Sequence, residues 1–445
     1  MKIQLSDHFS YGRLIRFTLP SIVMMIFNSI YSVVDGLFVS NFAGKTPFAA
    51  LNLIFPAMMI FATVGFIFGT GGTAIVAKTF GEGDRERANR YFSLFVYAAF
   101  FLGVICAVLG FVFVRPLSLL LGATEGELLD ACMVYGRIVF VAVPFYALQL
   151  LFQSFFVAAE KPKLGLAVTV LSGVTNMVLD AVLVIGLPQE YKLAGAAIAT
   201  ASSQIVGGAI PVVYFLRKND STLRLGKTHF DGRAILRACI NGSSEFMSNI
   251  SMNVVAILYN LQLMKYAGED GVAAYGVMLY IGFIFAAAFI GYSIGTAPVI
   301  GYHDGAKNYG ELHGLLKKSL VMIAVAALAM VAAAEVLAMP LSSIFVGYDA
   351  GLLELTVRGF RIYAVSFLFS GFAIFASGFF TALNDGVTSA VISFLRTLVF
   401  QSAAVLVLPL IWDIDGIWYS LIAAEGMAVV LGGVFLIAKR KKYHY

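Results

Sequence analysis

Six ionisable side chains fall inside runs of residues that are otherwise apolar: Asp35, Asp180, Glu245, Glu335, Arg396 and Glu425. A charge in hydrocarbon costs about 2.5–3.5 kcal/mol on insertion scales, so each needs a partner, a route to water or a task. Asp35 is preceded by Tyr31 at i−4 and Asn28 at i−7, on one face of a helix. A carboxylate there can exchange a proton or bind a cation, and so couple or gate a movement; the plainer reading is an interfacial anchor. Asp180 follows Asn176, Ser172 and Thr169 at i−4, i−8 and i−11, a polar stripe that cannot face lipid. Carboxylate, amide and hydroxyl oxygens on successive turns suit a hard cation or a proton relay, and they also suit hydrogen bonding between helices.

Two i,i+4 pairs, Gln149 with Gln153 and Thr200 with Gln204, can complete a polar cavity around that stripe or serve packing alone. Glu245, Asn249, Asn253 and Asn260 form a second stripe in the other half of the chain, with Glu245 the candidate for substrate or cation contact. Arg396 and Glu425 carry opposite charge at similar depth, which favours a buried pair with a structural or gating role, substrate contact being the alternative. Glu335, before Met339-Pro340, is expected to snorkel to the interface. With 39 Phe, 20 Tyr and 15 Met, a cleft lined by rings, thioethers and a few carboxylates would take flat, greasy cations.

These side chains must be positioned by membrane-spanning helices. The 445 residues are 60% apolar and only 12% charged, about half the charge of a soluble protein, and mean hydropathy is +0.89. A crossing needs about 20 apolar residues. Polar and Gly/Pro breaks then predict twelve spans, at roughly 13–41, 48–78, 91–114, 132–158, 163–187 and 193–216, then 234–264, 272–301, 317–339, 356–383, 387–411 and 415–438. The first run is too long for a signal core and is expected to stay in the membrane.

Of the 30 Lys and Arg, 22 lie on the side of the N-terminus and 7 opposite, with Arg396 alone inside a span. This predicts both termini in the cytoplasm of a cell (plasma or inner) membrane protein. The net charge of +5 thus belongs to loops and does not imply nucleic acid.

The chain also repeats itself. The shift that lays Phe42-Ala43-Gly44 on Tyr266-Ala267-Gly268 also aligns, without a gap, Gly71 with Gly295, Gly81 with Gly305, Pro116-Leu117-Ser118 with Pro340-Leu341-Ser342 and Arg137-Ile138 with Arg361-Ile362; after a short slip Gly195 meets Gly416. The fold class expected is therefore all-α integral membrane: twelve transmembrane helices in two pseudo-symmetric six-helix lobes, a parallel repeat. Residues 1–216 form the N-lobe, 217–233 a cytoplasmic linker, and 234–445 the C-lobe with its basic tail. Two like bundles about a cleft are a transporter plan.

Enzyme chemistry finds no foothold. Ala43-Gly44-Lys45-Thr46 resembles the end of a phosphate-binding loop, but Val39 stands where its first glycine is required. The five histidines have no metal-ligand spacing, and Cys106, Cys132 and Cys239 form neither a disulfide framework nor a Cys-x-x-Cys pair.

The sequence resembles the multidrug and toxic compound extrusion (MATE) family. The likeness runs along nearly the whole chain and rests on Leu19-Pro20, Val34-Asp35-Gly36-Leu37-Phe38-Val39, Gly81-Glu82-Gly83-Asp84, Asn176-x-x-x-Asp180 and Gly195-Ala196-Ala197-Ile198-Ala199-Thr200. The resemblance implies secondary antiport, in which inward H+ or Na+ expels amphipathic, often cationic drugs by alternating access, with no other cofactor. It makes Asp35 and Asp180 the coupling carboxylates, with Tyr31, Asn176 and Thr200 around them and a Na+ site at Asp35, Asn176, Asp180 and Thr200. Glu245 resembles an acid in the C-lobe of some bacterial members. Candidates for the substrate cleft are Glu245, Gln153, Asn249, Asn253, Arg396 and Glu425. Tyr363 to Ala382 holds no carboxylate, a departure that puts coupling in the N-lobe. A monomer in the lipid bilayer is expected. The alternative is a lipid-linked saccharide flippase of the same superfamily, against which stands the scarcity of basic residues in the spans.

Overall fold

The computed structural model describes residues 3–445, apart from the side chains of Leu37 and Ser40. The N-lobe comprises six spans: Tyr11–Ala43, Lys45–Gly81, Arg85–Val112, Glu127–Ala158, Pro162–Gly186 and Lys192–Leu216. The C-lobe begins with a helical stretch, Gly232–Gly305, of 74 residues, interrupted at Gly268. Straight, that run would be about 110 Å long at about 1.5 Å per residue, several bilayers thick. It is two spans, seven and eight, folded back at Gly268, whose φ of 63° and ψ of −150° are open to glycine alone. Span nine is Tyr309–Val346, span ten is Ala350–Ala364 and Phe367–Ala382 bent by 49°, span eleven is Gly386–Val407 and span twelve lies in Pro409–Tyr443. Those are the twelve expected spans.

The differences from expectation are local and have causes. Most helices overrun the apolar stretch by a turn or two because caps, not hydropathy, decide where a helix starts. Ser10, Asp84, Asp231, Asn308, Asp349 and Asp385 each accept a backbone N–H at the start of spans one, three, seven, nine, ten and eleven. In Pro409–Tyr443 the backbone breaks at Trp412 and Asp413, so the crossing itself starts close to the expected residue 415. The two halves diverge where Pro116-Leu117-Ser118 meets Pro340-Leu341-Ser342. The first lies in a separate short helix, Val114–Leu120, and the second continues span nine.

Backbone turns repeat more faithfully than side chains. Left-handed φ occurs at Gly44, Gly83 and Glu160, and again at their counterparts in the second repeat, Gly268, Lys307 and Asn384. The connection after span six is not a loose tether. Leu223 and Leu225 are buried, Arg224 N–H donates to Asn89 Oδ1 at 2.7 Å, and Gly226 N–H donates to Ser93 Oγ at 3.0 Å, so the chain lies along span three.

The lobes meet through spans one and two against seven and eight, in the half of the molecule that carries both termini. There a Cβ on Gly81 would lie 2.0 Å from the Tyr302 carbonyl, and one on Gly305 2.0 Å from the Lys78 carbonyl. The helices touch backbone to backbone, which only glycine permits. Lys78 Nζ pairs with Asp304 at 2.8 Å, and Asn384 Nδ2 donates to the Ala74 carbonyl at 3.2 Å. The N-terminal segment straps the same seam. Leu5 N–H donates to Glu160 of the N-lobe at 2.9 Å, and Phe9 N–H to Glu311 of the C-lobe at 2.9 Å.

Candidate ion and substrate site

Asp35 stands near the far end of span one from the termini, just before a π-helical turn at Val39–Ala43, beyond the seam. Such wide turns inside helices are frequent at functional sites. Span five brings Asp180 and, one turn earlier, Asn176 against it, both fully buried. Asn176 Nδ2 donates to Asp35 Oδ1 across 3.5 Å, and the carboxyl groups of Asp35 and Asp180 face each other. Among the described residues Asp180 accepts no hydrogen bond from any other group, and Asn176 Oδ1 has no partner. Asp180 is fully buried and Asp35 half-buried, so two ionised carboxylates facing each other there would repel.

Tyr31 lies beside Asp35, and Thr200 of span six lies beside the Tyr135 hydroxyl. The structure thus gathers Asp35, Tyr31, Asn176, Asp180 and Thr200 into one N-lobe cluster. Span four adds two residues that the sequence reading did not single out: Tyr135, next to both carboxylates, and Tyr146, next to Tyr31. The signal was present, because Tyr135, Tyr146, Gln149 and Gln153 fall on one face of that helix. Gln149 Nε2 donates to Ser172 Oγ at 3.3 Å, and Ser172 Oγ donates to the Ser203 carbonyl at 2.7 Å. Buried oxygens of Gln149, Gln153 and Gln204 remain without a hydrogen-bond partner among the described residues. Gln153 Nε2 is likewise unpartnered, so the interior presents both acceptors and donors to whatever it holds.

The C-lobe candidates are arranged differently. Glu245 is half-buried, and Asn249 and Asn253 donate to backbone carbonyls one turn back, each at 2.8 Å. Asn249 is half-buried as well, whereas Asn253 and Asn260 are exposed. Arg396 meets Glu425 through three hydrogen bonds of 2.8–3.1 Å, and Glu425 is 2% exposed. The two charges are spent on each other. Glu335 of span nine pairs with Arg361 of span ten at 3.6 Å, both partly exposed. The repeat counterpart of Asp35 is Tyr259, whose hydroxyl bonds to Ser420 Oγ at 2.6 Å and whose ring stacks on Tyr275 at 4.9 Å. A neutral, satisfied contact in the C-lobe thus stands where the N-lobe has a carboxylate.

Comparison with known proteins agrees with this architecture. The chain matches the MatE family over residues 20–182 and 246–405, one segment in each lobe. It is 25% identical to the multidrug export protein MepA of Staphylococcus haemolyticus (strain JCSC1435) over 97% of this chain and 94% of that protein. A MATE structure in complex with MaL6 superposes with a TM-score of 0.92 at 20% identity, covering 98% of each chain. A multidrug resistance MATE transporter of the MOP superfamily in its outward-facing conformation gives a TM-score of 0.90 at 21% identity, over 100% of this chain and 98% of that one. Two matched halves, one per lobe, on a twelve-span fold place the chain in the MatE family of membrane transporters.

Proposed function

We propose that the protein is a secondary active exporter that trades inward H+ or Na+ for amphipathic cationic compounds, with the coupling ion held in the N-lobe. The observation that carries the proposal is the facing of Asp35 and Asp180 with Asn176 between spans one and five. Loading that pair with a proton or Na+ removes the repulsion between two facing carboxylates, and releasing it restores the repulsion. Both carboxylates are carried by helices of one lobe, so loading changes how spans one and five pack. Tyr31, Tyr135 and Thr200 surround the pair and fix the geometry in which it is loaded. The low identity to MepA, a multidrug export protein, supports the drug-like substrate class.

The excess of basic residues in the loops on the side of the termini supports a cytoplasmic position for both. Contacts at the seam then close the cytoplasmic side, and the coupling cluster beyond the seam belongs to an outward-facing state of a monomer in the cell membrane. The test is ethidium flux in everted vesicles under an imposed proton gradient or sodium gradient, for the wild type and Asp180→Asn. Flux driven by one gradient and abolished in Asp180→Asn at equal abundance is expected and names the ion; full flux in the variant overturns the proposal.

A further inference from the structure

A cavity of about 380 Å³ opens at the seam, in the end of the molecule that carries the termini, and its walls come from both lobes. Lys78 and Thr79 line it from span two, Glu82 from the turn that follows, Arg87 and Tyr91 from span three, and Arg237, Asn241 and Asn384 from the C-lobe, with Glu82, Arg87 and Arg237 exposed at its mouth. Lys78 is neutralised by Asp304, but Arg237 has no ion pair among the described residues, and Arg87 Nε is bonded only to the Tyr91 hydroxyl, at 3.0 Å. Two arginines thus share the cavity with one carboxylate, Glu82. Asn241, 3% exposed, leaves its Oδ1 without a donor although its amide hydrogens are used. A second cavity of about 220 Å³ shares Arg87 and Tyr91 with the first and adds Arg90, Thr228, His229 and one carboxylate, Asp231. Ile240 lines the rim, and with Leu236 one turn earlier it forms an exposed apolar edge on span seven.

We propose that this cavity binds a phosphate ester that also bears a hydroxyl group. The phosphate lies between Arg87 and Arg237, where planar guanidinium groups can chelate its oxygens, and a hydroxyl donates to Asn241 Oδ1 or Glu82. Such a group occurs in the headgroup of an anionic glycerophospholipid and in free phosphate esters. The apolar edge at Leu236 and Ile240 suits acyl chains, and basic pockets between spans commonly hold lipid headgroups. Because the walls belong to both lobes, the bound group holds the seam closed.

The test uses the full chain in phosphatidylcholine nanodiscs with phosphatidylglycerol added, and native mass spectrometry to count retained phosphatidylglycerol. Wild type and Arg233→Gln, a neighbouring exposed arginine outside the cavity, should retain it equally. Arg87→Gln and Arg237→Gln should each retain it about fivefold less, and the corresponding lysine variants should recover part of the loss. A second arm adds glycerol 3-phosphate without phosphatidylglycerol. Thermal stabilisation that both glutamine variants lose assigns the site to free esters and upholds the shared chemistry. Equal retention by all variants together with no effect of glycerol 3-phosphate, or an equal loss in Arg233→Gln, overturns the proposal.

Discussion

Gly81 and Gly305 occupy equivalent positions of the two repeats, and each lies against the backbone of the helix that bears the other. One contact, made twice by the pseudo-two-fold axis, joins spans two and eight at the end that carries the termini. A Cβ at either position would meet a carbonyl oxygen at 2.0 Å, which no side-chain rearrangement can relieve.

Gly305→Val is therefore expected to force the lobes apart at this end while leaving each lobe folded. Overpacking costs about 1–3 kcal/mol, enough to shift the lobe equilibrium about 5–150-fold. Cys239 is a native reporter, half-buried beside Ala238, whose carbonyl Gly71 abuts. Maleimide should label it faster in Gly305→Val than in wild type; an unchanged rate would show that the glycine contact does not govern closure.

Asn176→Ala removes the amide that bridges to Asp35 and leaves both carboxylates in place. Loss of one supporting ligand typically weakens ion affinity about 10–100-fold. The concentration of the driving ion for half-maximal flux should rise by that factor, with maximal flux less affected. A fall in maximal flux with unchanged ion dependence would assign Asn176 to packing.

The Arg396–Glu425 pair should be costly to halve and cheap to replace. Arg396→Met strands a carboxylate that is 2% exposed and is expected to cost about 3–5 kcal/mol. Arg396→Met with Glu425→Leu should recover most of that stability in detergent melts. If Arg396→Met alone melts like wild type, the pair is not what holds span eleven to span twelve.

Asp385, in the turn between spans ten and eleven, titrates with a stability consequence. Burial pushes its carboxyl upward, but Lys439 Nζ at 2.9 Å, the Tyr443 hydroxyl at 2.8 Å and Thr388 outweigh it and hold the group below the usual carboxylate range. A depressed folded-state value means that the stabilisation is complete at neutral pH and disappears as pH falls through that value, below about 4. Asp385→Asn should lower neutral-pH stability by about 1–3 kcal/mol and flatten the acid limb of the melting profile. An acid limb identical to wild type would exclude Asp385 as its source.

Much of this was legible in residue order. Twelve spans follow from hydropathy because lipid leaves the backbone no partner but its own helix. The repeat was visible as glycines and turn residues at matching positions of the two halves, since a left-handed turn or a backbone contact tolerates few substitutions. The polar stripes on spans one and five were visible as well, because helical periodicity puts Asp35 with Tyr31 and Asp180 with Asn176 on single faces.

What periodicity cannot supply is which faces meet. That Asp35 faces Asp180 although spans two, three and four separate them in the chain, that Tyr135 and Tyr146 join them, and that Asn249 and Asn253 turn back on their own helix were decided by packing. The sequence alone determined the spans, the repeat and the ionisable residues that lie within the spans, because these depend on local composition and on the solvent. The tertiary structure decided the partners of those charges and the closure of one end, because both depend on how twelve helices with similar apolar surfaces rotate and tilt against one another.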